Sequence, residues 1–317
     1  YYTTNESNPT TSSSSILSGG EIFVTGSATL KAFAAKTSYI SSAIVTAVYT
    51  INPLLGRAKG DFDRDGNSDI LLQHTTAGVL RVWFMNGTTL RSSGVLNPSR
   101  QTDLNEQIVG MADINRDSYQ DVIFQNRITS QLSVWYMQGL TRIGGALISP
   151  SPGDVRWKYV GSGDFNGDTR PDFVLQYQPT GRVLVWYMGG ANRIAAGNIV
   201  LSLPDRNANV VGVADFNSDT KPDILWQHAV TGGVWVWLMN DIARISYTWL
   251  AERISDANQR IAGVGDFNFD GKPDILWRYK SNGMLSFWLM NGTTRMAGVL
   301  STPILYPDPL YRIAAPR

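Results

Sequence analysis

The chain has 317 residues and a formal net charge of +1, which gives no electrostatic ground for a nucleic-acid partner. It contains no cysteine, so disulfides and thiolate metal sites are excluded. No apolar run reaches the roughly 18 residues of a membrane helix, and four Glu against 30 Gly, 10 Trp and 13 Tyr favour strands over helices.

Residues 1–51 form the first expected unit. A Ser/Thr-rich stretch leads into three short strands, the last of them within residues 43–51, where Thr46 and Tyr49 interrupt the longest apolar run. The chain starts at Tyr1 without Met and without a signal-peptide pattern, so sequence upstream is expected. Residues 1–4, 9–11, 27–32 and 39–51 resemble the chitobiase C-terminal-like (Fn3-associated) β-sandwich module. The resemblance implies further strands ahead of Tyr1, so a partial Ig/Fn3-like sandwich with an open edge is expected. Those strands come either from upstream sequence or from a neighbouring copy. In the second case Ile22, Val24, Leu30, Ala32 and Val45 should meet the donated strand. Residues 52–53, Asn-Pro, read as the linker, and 54–317 as the second domain.

That second domain is a repeat. GDFDRDGNSD, ADINRDSYQD, GDFNGDTRPD, ADFNSDTKPD and GDFNFDGKPD are copies of one motif. Their first aspartates, Asp61, Asp113, Asp164, Asp215 and Asp266, are spaced by 52, 51, 51 and 51 residues. Trp83, Trp135, Trp186, Trp237 and Trp288 follow them by 22 residues each, and Arg91, Arg142, Arg193, Arg244 and Arg295 recur every 51 residues. Gly110, Gly161, Gly212 and Gly263 precede the Asp by three residues, with Ala58 in the first copy. Each repeat reads as four strands: one running into the Asp loop, one leaving it, a Trp strand, and a fourth after a turn such as Asn86-Gly87 or Asn291-Gly292. Four strands per unit of this length predict an all-β propeller of four-stranded blades. Five blades are preferred. Six or seven, completed by absent sequence or by N-terminal strands, are the alternative. Residues 311–314 echo 259–262, so the last strand either closes the ring on the first blade or begins another blade.

Each loop sets oxygen ligands at positions 1, 3, 5 and 9: Asp61, Asp63, Asp65 and Asp69, then Asp113, Asn115, Asp117 and Asp121. The third has Asp164, Asn166, Asp168 and Asp172, the fourth Asp215, Asn217, Asp219 and Asp223, the fifth Asp266, Asn268, Asp270 and Asp274. These loops hold 16 of the 22 aspartates, and carboxylates so close repel one another unless a cation sits among them. Calcium, which takes 6–8 hard oxygens, is expected at up to five sites. Exposed Asx turns are the plainer reading. Loops one and five, with Gly66 and Gly271 at position six, look strongest, and loop two, with Ser118, weakest. The segments DFDRDGNSD and DFNFDGKPD resemble the FG-GAP/VCBS propeller family, over residues 54–317. That resemblance implies calcium ligation by the residues just named and an extracellular or cell-surface setting.

The Trp set reads as packing between blades, and the Arg set as capping or pairing with carboxylates. His74, Asn126, Tyr177, His228 and Tyr279 share one phase at the end of the second strand. They form a candidate ligand face opposite the Asp loops, or a solvated strand end. Asn5, Asn86 and Asn291 head glycosylation sequons. No catalytic triad or zinc motif is visible, and four Glu leave little for acid–base work, so no enzyme activity is expected. The function expected is a binding or adhesion module for a glycan or protein ligand. The alternative is a structural subunit of a filament or surface layer, assembled with copies of itself by strand complementation.

Overall fold

The computed structural model describes residues 1–17, 28–49, 59–199, 206–251, 258–305 and 308–316. Two compact units divide the chain, Tyr1–Arg57 and Ala58–Arg317. Ile22, Val24, Ala58 and the expected linker Asn52-Pro53 lie outside the described residues. No helix occurs among the described residues, and none is therefore long and apolar enough to cross a membrane.

In the first unit, β1 (Tyr2–Thr3), β2 (Ala28–Ala32) and β3 (Val45–Tyr49) form one antiparallel sheet in the order β1-β2-β3. Leu30 and Ala32 are half-buried, whereas Val45 and Val48 are 68% and 72% exposed. A second sheet, which a sandwich requires, is not among the described residues.

The second unit is a five-bladed propeller. Blade two holds β7 (Glu106–Ala112), β8 (Asp121–Asn126), β9 (Leu132–Gln138) and β10 (Thr141–Leu147). Blade three holds β11 (Trp157–Gly163), β12 (Asp172–Tyr177), β13 (Arg182–Gly189) and β14 (Asn192–Asn198). Blade four holds β15 (Ala208–Ala214), β16 (Asp223–His228), β17 (Val234–Asn240) and β18 (Ala243–Ala251). Blade five holds β19 (Gln259–Gly265), β20 (Asp274–Tyr279), β21 (Leu285–Asn291) and β22 (Thr294–Leu300). Blade one differs: β4 (Ile70–His74), β5 (Val79–Asn86) and β6 (Thr89–Arg100) take their inner strand from the far end of the chain, β23 (Tyr311–Ala315). Tyr311 pairs with His74 as Gln259 pairs with Tyr279, so the echoed segment closes the ring. The five inner strands β23, β7, β11, β15 and β19 are neighbours in a closed circle.

The second strands carry an unbroken apolar run in place of alternation, as in the Val-Ile-Phe of DVIFQN, and are buried on both faces because a blade lies on either side. Fourth strands alternate and face solvent. The core is accordingly five layers, each between two blades. Trp186 packs with Ile114, Ile123 and Leu132 of blade two, Trp237 with Phe165 and Val174 of blade three. Trp288 packs with Phe216 and Leu225 of blade four, and Trp135 with Phe62 and Leu71 of blade one. Trp83 packs against Phe267 and Phe287 of blade five, which completes the circuit.

Every inner strand carries a bulge just before its small residue, for instance between Tyr159 and Gly161. A Cβ on Gly161 would stand 2.6 Å from Val213 Cγ2 on the next inner strand, so the blades approach too closely there for any side chain. In blade one that register belongs to Ala315 of β23.

Candidate functional site

In blades two to five the Asp loop joins the inner strand to the second strand, and in blade one it leads into the second strand β4, so all five open on one face of the ring. Their backbone is the same in each copy. Position four is left-handed in all five, at Arg64, Arg116, Gly167, Ser218 and Phe269. Position six is too: Gly66 (φ 91°), Ser118 (81°), Thr169 (69°), Thr220 (71°) and Gly271 (75°). This turn directs the amides of positions four to six toward the first Asp. In loop one Asp61 accepts from the N–H of Arg64 (2.6 Å), Asp65 (3.1 Å) and Gly66 (2.9 Å). In loop four Asp215 accepts from Asp219 (3.2 Å) and Thr220 (2.7 Å).

A β-branched residue held left-handed costs about 1–2 kcal/mol, and the exposed Thr220 side chain has little packing to lose. Thr220→Gly is therefore expected to raise stability by about 1 kcal/mol in urea unfolding, after glycine's larger chain entropy is deducted. A loss would show that the Thr220 side chain carries a contact of its own.

Positions 1, 3 and 5 come together. In loop one the carboxylate oxygens of Asp61, Asp63 and Asp65 lie within 4.8 Å of one another. Three oxygens at that separation fit on a sphere of about 2.4 Å radius, the bond length calcium prefers. Burial, with the neighbouring carboxylate of Asp65, raises the pKa of Asp61 and Asp63. Arg91 spans the cluster, bonding Asp63 and lying 3.0 Å from Asp65 Oδ2. In loops two to five an Asn replaces the middle carboxylate, and its amide nitrogen donates to the position-five Asp: Asn115 to Asp117 (2.9 Å), Asn166 to Asp168 (3.2 Å), Asn217 to Asp219 (3.0 Å) and Asn268 to Asp270 (3.1 Å). With one charge fewer, these loops leave their arginines to stack on tryptophan: Arg142 on Trp135 (4.6 Å), Arg193 on Trp186 (4.7 Å), Arg244 on Trp237 (4.9 Å) and Arg295 on Trp288 (4.4 Å). The in-phase arginines thus divide, one pairing with carboxylates and four covering indole faces.

Position nine is built differently. Asp69, Asp121, Asp172, Asp223 and Asp274 are wholly buried. In each, Oδ2 accepts the N–H of position two and Oδ1 accepts an N–H from the third strand. Asp223, for example, takes Phe216 N–H (2.9 Å) and Met239 N–H (2.9 Å). The residue therefore staples the loop to its blade, and Asp121 Oδ2 takes a second amide, that of Asn115 (3.3 Å). Burial pushes these carboxyls up, to about 6 for Asp172, about 7 for Asp121, Asp223 and Asp274, and about 8 for Asp69, although the two amides pull the other way.

On the opposite face, the five in-phase residues are tied into their own blades. His74 Nδ1 accepts from Ala77 N–H (3.0 Å) and His228 Nδ1 from Thr231 N–H (2.9 Å), which caps the following turn. Asn126 Oδ1 does the same for Ile128 (3.0 Å) and Thr129 (3.1 Å). Tyr177 packs on Trp157 at 5.0 Å and beneath Arg156 at 5.2 Å, and the Tyr279 hydroxyl accepts from Gln259.

Two features escape a sequence reading. Twelve residues after the first Asp stand Gln73, Gln125, Gln176, Gln227 and Arg278. The buried Gln125 donates to the Trp157 carbonyl (2.8 Å) and accepts from Tyr159 N–H (3.2 Å), as a strand would, and so buckles blade two to blade three. Gln73 and Gln176 repeat this, Gln227 accepts from Ile261 N–H, and at the closing seam Arg278 reaches the Tyr311 carbonyl (2.7 Å). Their shared phase was the available signal. The second is Lys59, whose Nζ crosses the ring to the carbonyls of Ser162 (2.8 Å) and Val213 (2.6 Å); burial lowers its pKa to about 7.

Residues 164–226, from the first Asp of loop three to Trp226, match the FG-GAP-like repeat family. No curated protein matches the chain. Among solved structures, a mutant form of the Tc holotoxin pore of Photorhabdus luminescens aligns with 86% of this chain and 13% of its own, at 14% identity and a TM-score of 0.45. The chain thus spans a small part of that protein's length, and carries an FG-GAP-like repeat within a five-bladed ring.

Proposed function

We infer that this chain is a non-catalytic, extracellular β-propeller whose Asp loops take calcium and whose rigid faces bind a glycan or protein ligand. The observation that carries the metal part is the convergence of Asp61, Asp63 and Asp65 in a loop whose backbone recurs four more times. Positions 1, 3 and 5 offer the converging oxygens, while position nine holds the loop in shape. Bound calcium would neutralise the crowded carboxylates, and in loop one the Arg91 guanidinium supplies part of that charge without it. Calorimetric titration of calcium into the metal-depleted chain tests the reading. Several equivalents should bind, with loop one distinguished by its extra carboxylate and its arginine. Absence of binding at millimolar calcium would remove the metal from the account.

A second reading is favoured by the first unit. Its third strand lies at the sheet edge, and Val45 and Val48, on its two faces, are exposed together with Ile40 and Leu17, apolar surface and an open edge that strands of a neighbouring copy could pair with and cover. That makes the chain a subunit of a filament or surface layer. Sedimentation and electron microscopy should then show assemblies that disappear when Val45 and Val48 become Lys. A monodisperse monomer at high concentration would leave the binding-module reading alone.

A further inference from the structure

Four of the inner strands, β23, β7, β11 and β15, line a half-open cavity of about 270 Å³ at the end of the ring away from the Asp loops. Its polar lining is one-sided in charge. Arg127, Lys158 and Arg312 contribute cations, Gln107, Gln178 and Asn209 contribute amides, and no lining residue is Asp or Glu. In a chain of net charge +1 this is a local concentration of positive charge. Glu106, next to Gln107, is not in the lining; its carboxylate turns into blade two, toward Asn126 (3.0 Å) and Ser133 (3.3 Å).

The two arginines donate to neutral groups. Arg312 donates to Gln107 Oε1 (2.7 Å) and to the Ile108 carbonyl, and Arg127 Nε donates to Asn105 Oδ1 (2.9 Å). These bonds orient the guanidinium groups. Lys158 Nζ has no hydrogen-bond or ion-pair partner among the described residues. Like charges lining one concavity repel, and an anion placed beside Lys158 and Arg127 relieves both. The remaining wall is the apolar surface of Val109, Val160 and Val210. Pre-oriented cations, amide donors and acceptors and an apolar wall suit a ligand that is anionic, hydroxyl-rich and partly apolar on its ring face.

We propose that this axial cavity binds a uronic acid, free or as a residue of an acidic polysaccharide, through its carboxylate and ring hydroxyls. Lys158 and Arg127 take the carboxylate, and Gln178 and Asn209 take hydroxyls. The site stands apart from the Asp loops, at the opposite ends of the inner strands, so its test does not depend on calcium.

The experiment is calorimetric titration of the full chain, at fixed ionic strength, with glucuronate, glucose, sulfate and a short polyuronate. Lys158→Glu and Arg127→Ala are titrated beside the parent, with thermal melting to confirm that both remain folded. The expected result is saturable binding of glucuronate, none of glucose, and weaker binding of sulfate. Affinity should fall at least tenfold in Lys158→Glu and several-fold in Arg127→Ala. Tighter binding of polyuronate than of glucuronate identifies the polymer as the source, and equal binding per residue identifies the free acid; both support the site. Glucose binding as well as glucuronate, sulfate binding as well as glucuronate, no binding of any anion, or affinity unchanged in both variants would each overturn the proposal.

Discussion

Asp223→Ala is expected to destabilise the propeller by about 4 kcal/mol, with or without calcium. The side chain is wholly buried, and its two oxygens satisfy the amides of Phe216 and Met239. Removing it strands two buried N–H groups, each costing about 1–3 kcal/mol, and leaves a small cavity. In a domain of this size 1 kcal/mol moves the melting temperature by roughly 2–4 °C, so a drop of about 10 °C should be seen by circular dichroism. Asp219→Ala is the control. Asp219 is exposed and belongs to the open cluster, so in metal-free buffer it should cost well under half as much. Equal losses for the two variants without metal would show that position nine is not a staple.

Chelating calcium is expected to produce the other large effect. A cation that binds only the folded chain adds about 2.7 kcal/mol per site at a hundredfold excess over its Kd. Even two such sites would hold the melting temperature roughly 10–20 °C above that of the chelated chain. Differential scanning calorimetry in EDTA and in millimolar calcium reads this directly. Superimposable melting curves would return the loops to the status of Asx turns. Asp270→Ala should remove part of the calcium-dependent increment and leave the chelated melting temperature almost unchanged, which separates ligand from staple within a single loop.

Much of the ring was legible because the repeat fixes it. Markers held in phase over five copies revealed the blades, and the echo of Gln259-Arg260 in Tyr311-Arg312 exposed the strand that completes blade one. The site was read less fully, for physical reasons. An Asp at position nine looks like one more ligand in a list. Its burial follows from lying at the head of a strand that is covered on both faces, a property of blade stacking and not of the loop. Arg91 shares a phase with four other arginines, yet it binds carboxylates because Asp63 stands where the other loops have Asn. His74, Asn126 and His228 read as a recognition face because polar side chains at strand ends serve ligands and turns equally well, and the structure adds that each caps the turn that follows it. The Gln buckles gave a signal of phase but none of charge or hydrophobicity, and a neutral amide invites no hypothesis on its own. Residues 1–51 have no repeat to average over, and their short strands fix little beyond their own pairing.

The pairing of β23 with β4 joins residues about 240 positions apart in the chain. Four blades can assemble from neighbouring hairpins, but blade one must wait for the last strand to arrive. The entropic cost of that wait is modest, since loop closure adds only about 0.6 kcal/mol per doubling of length. Its kinetic weight is larger, because contacts this distant form late and slow folding. An open stack of similar modules can fray from its ends one unit at a time. A ring sealed in this way has no terminal blade to fray, so the five blades are expected to unfold together in a single cooperative step.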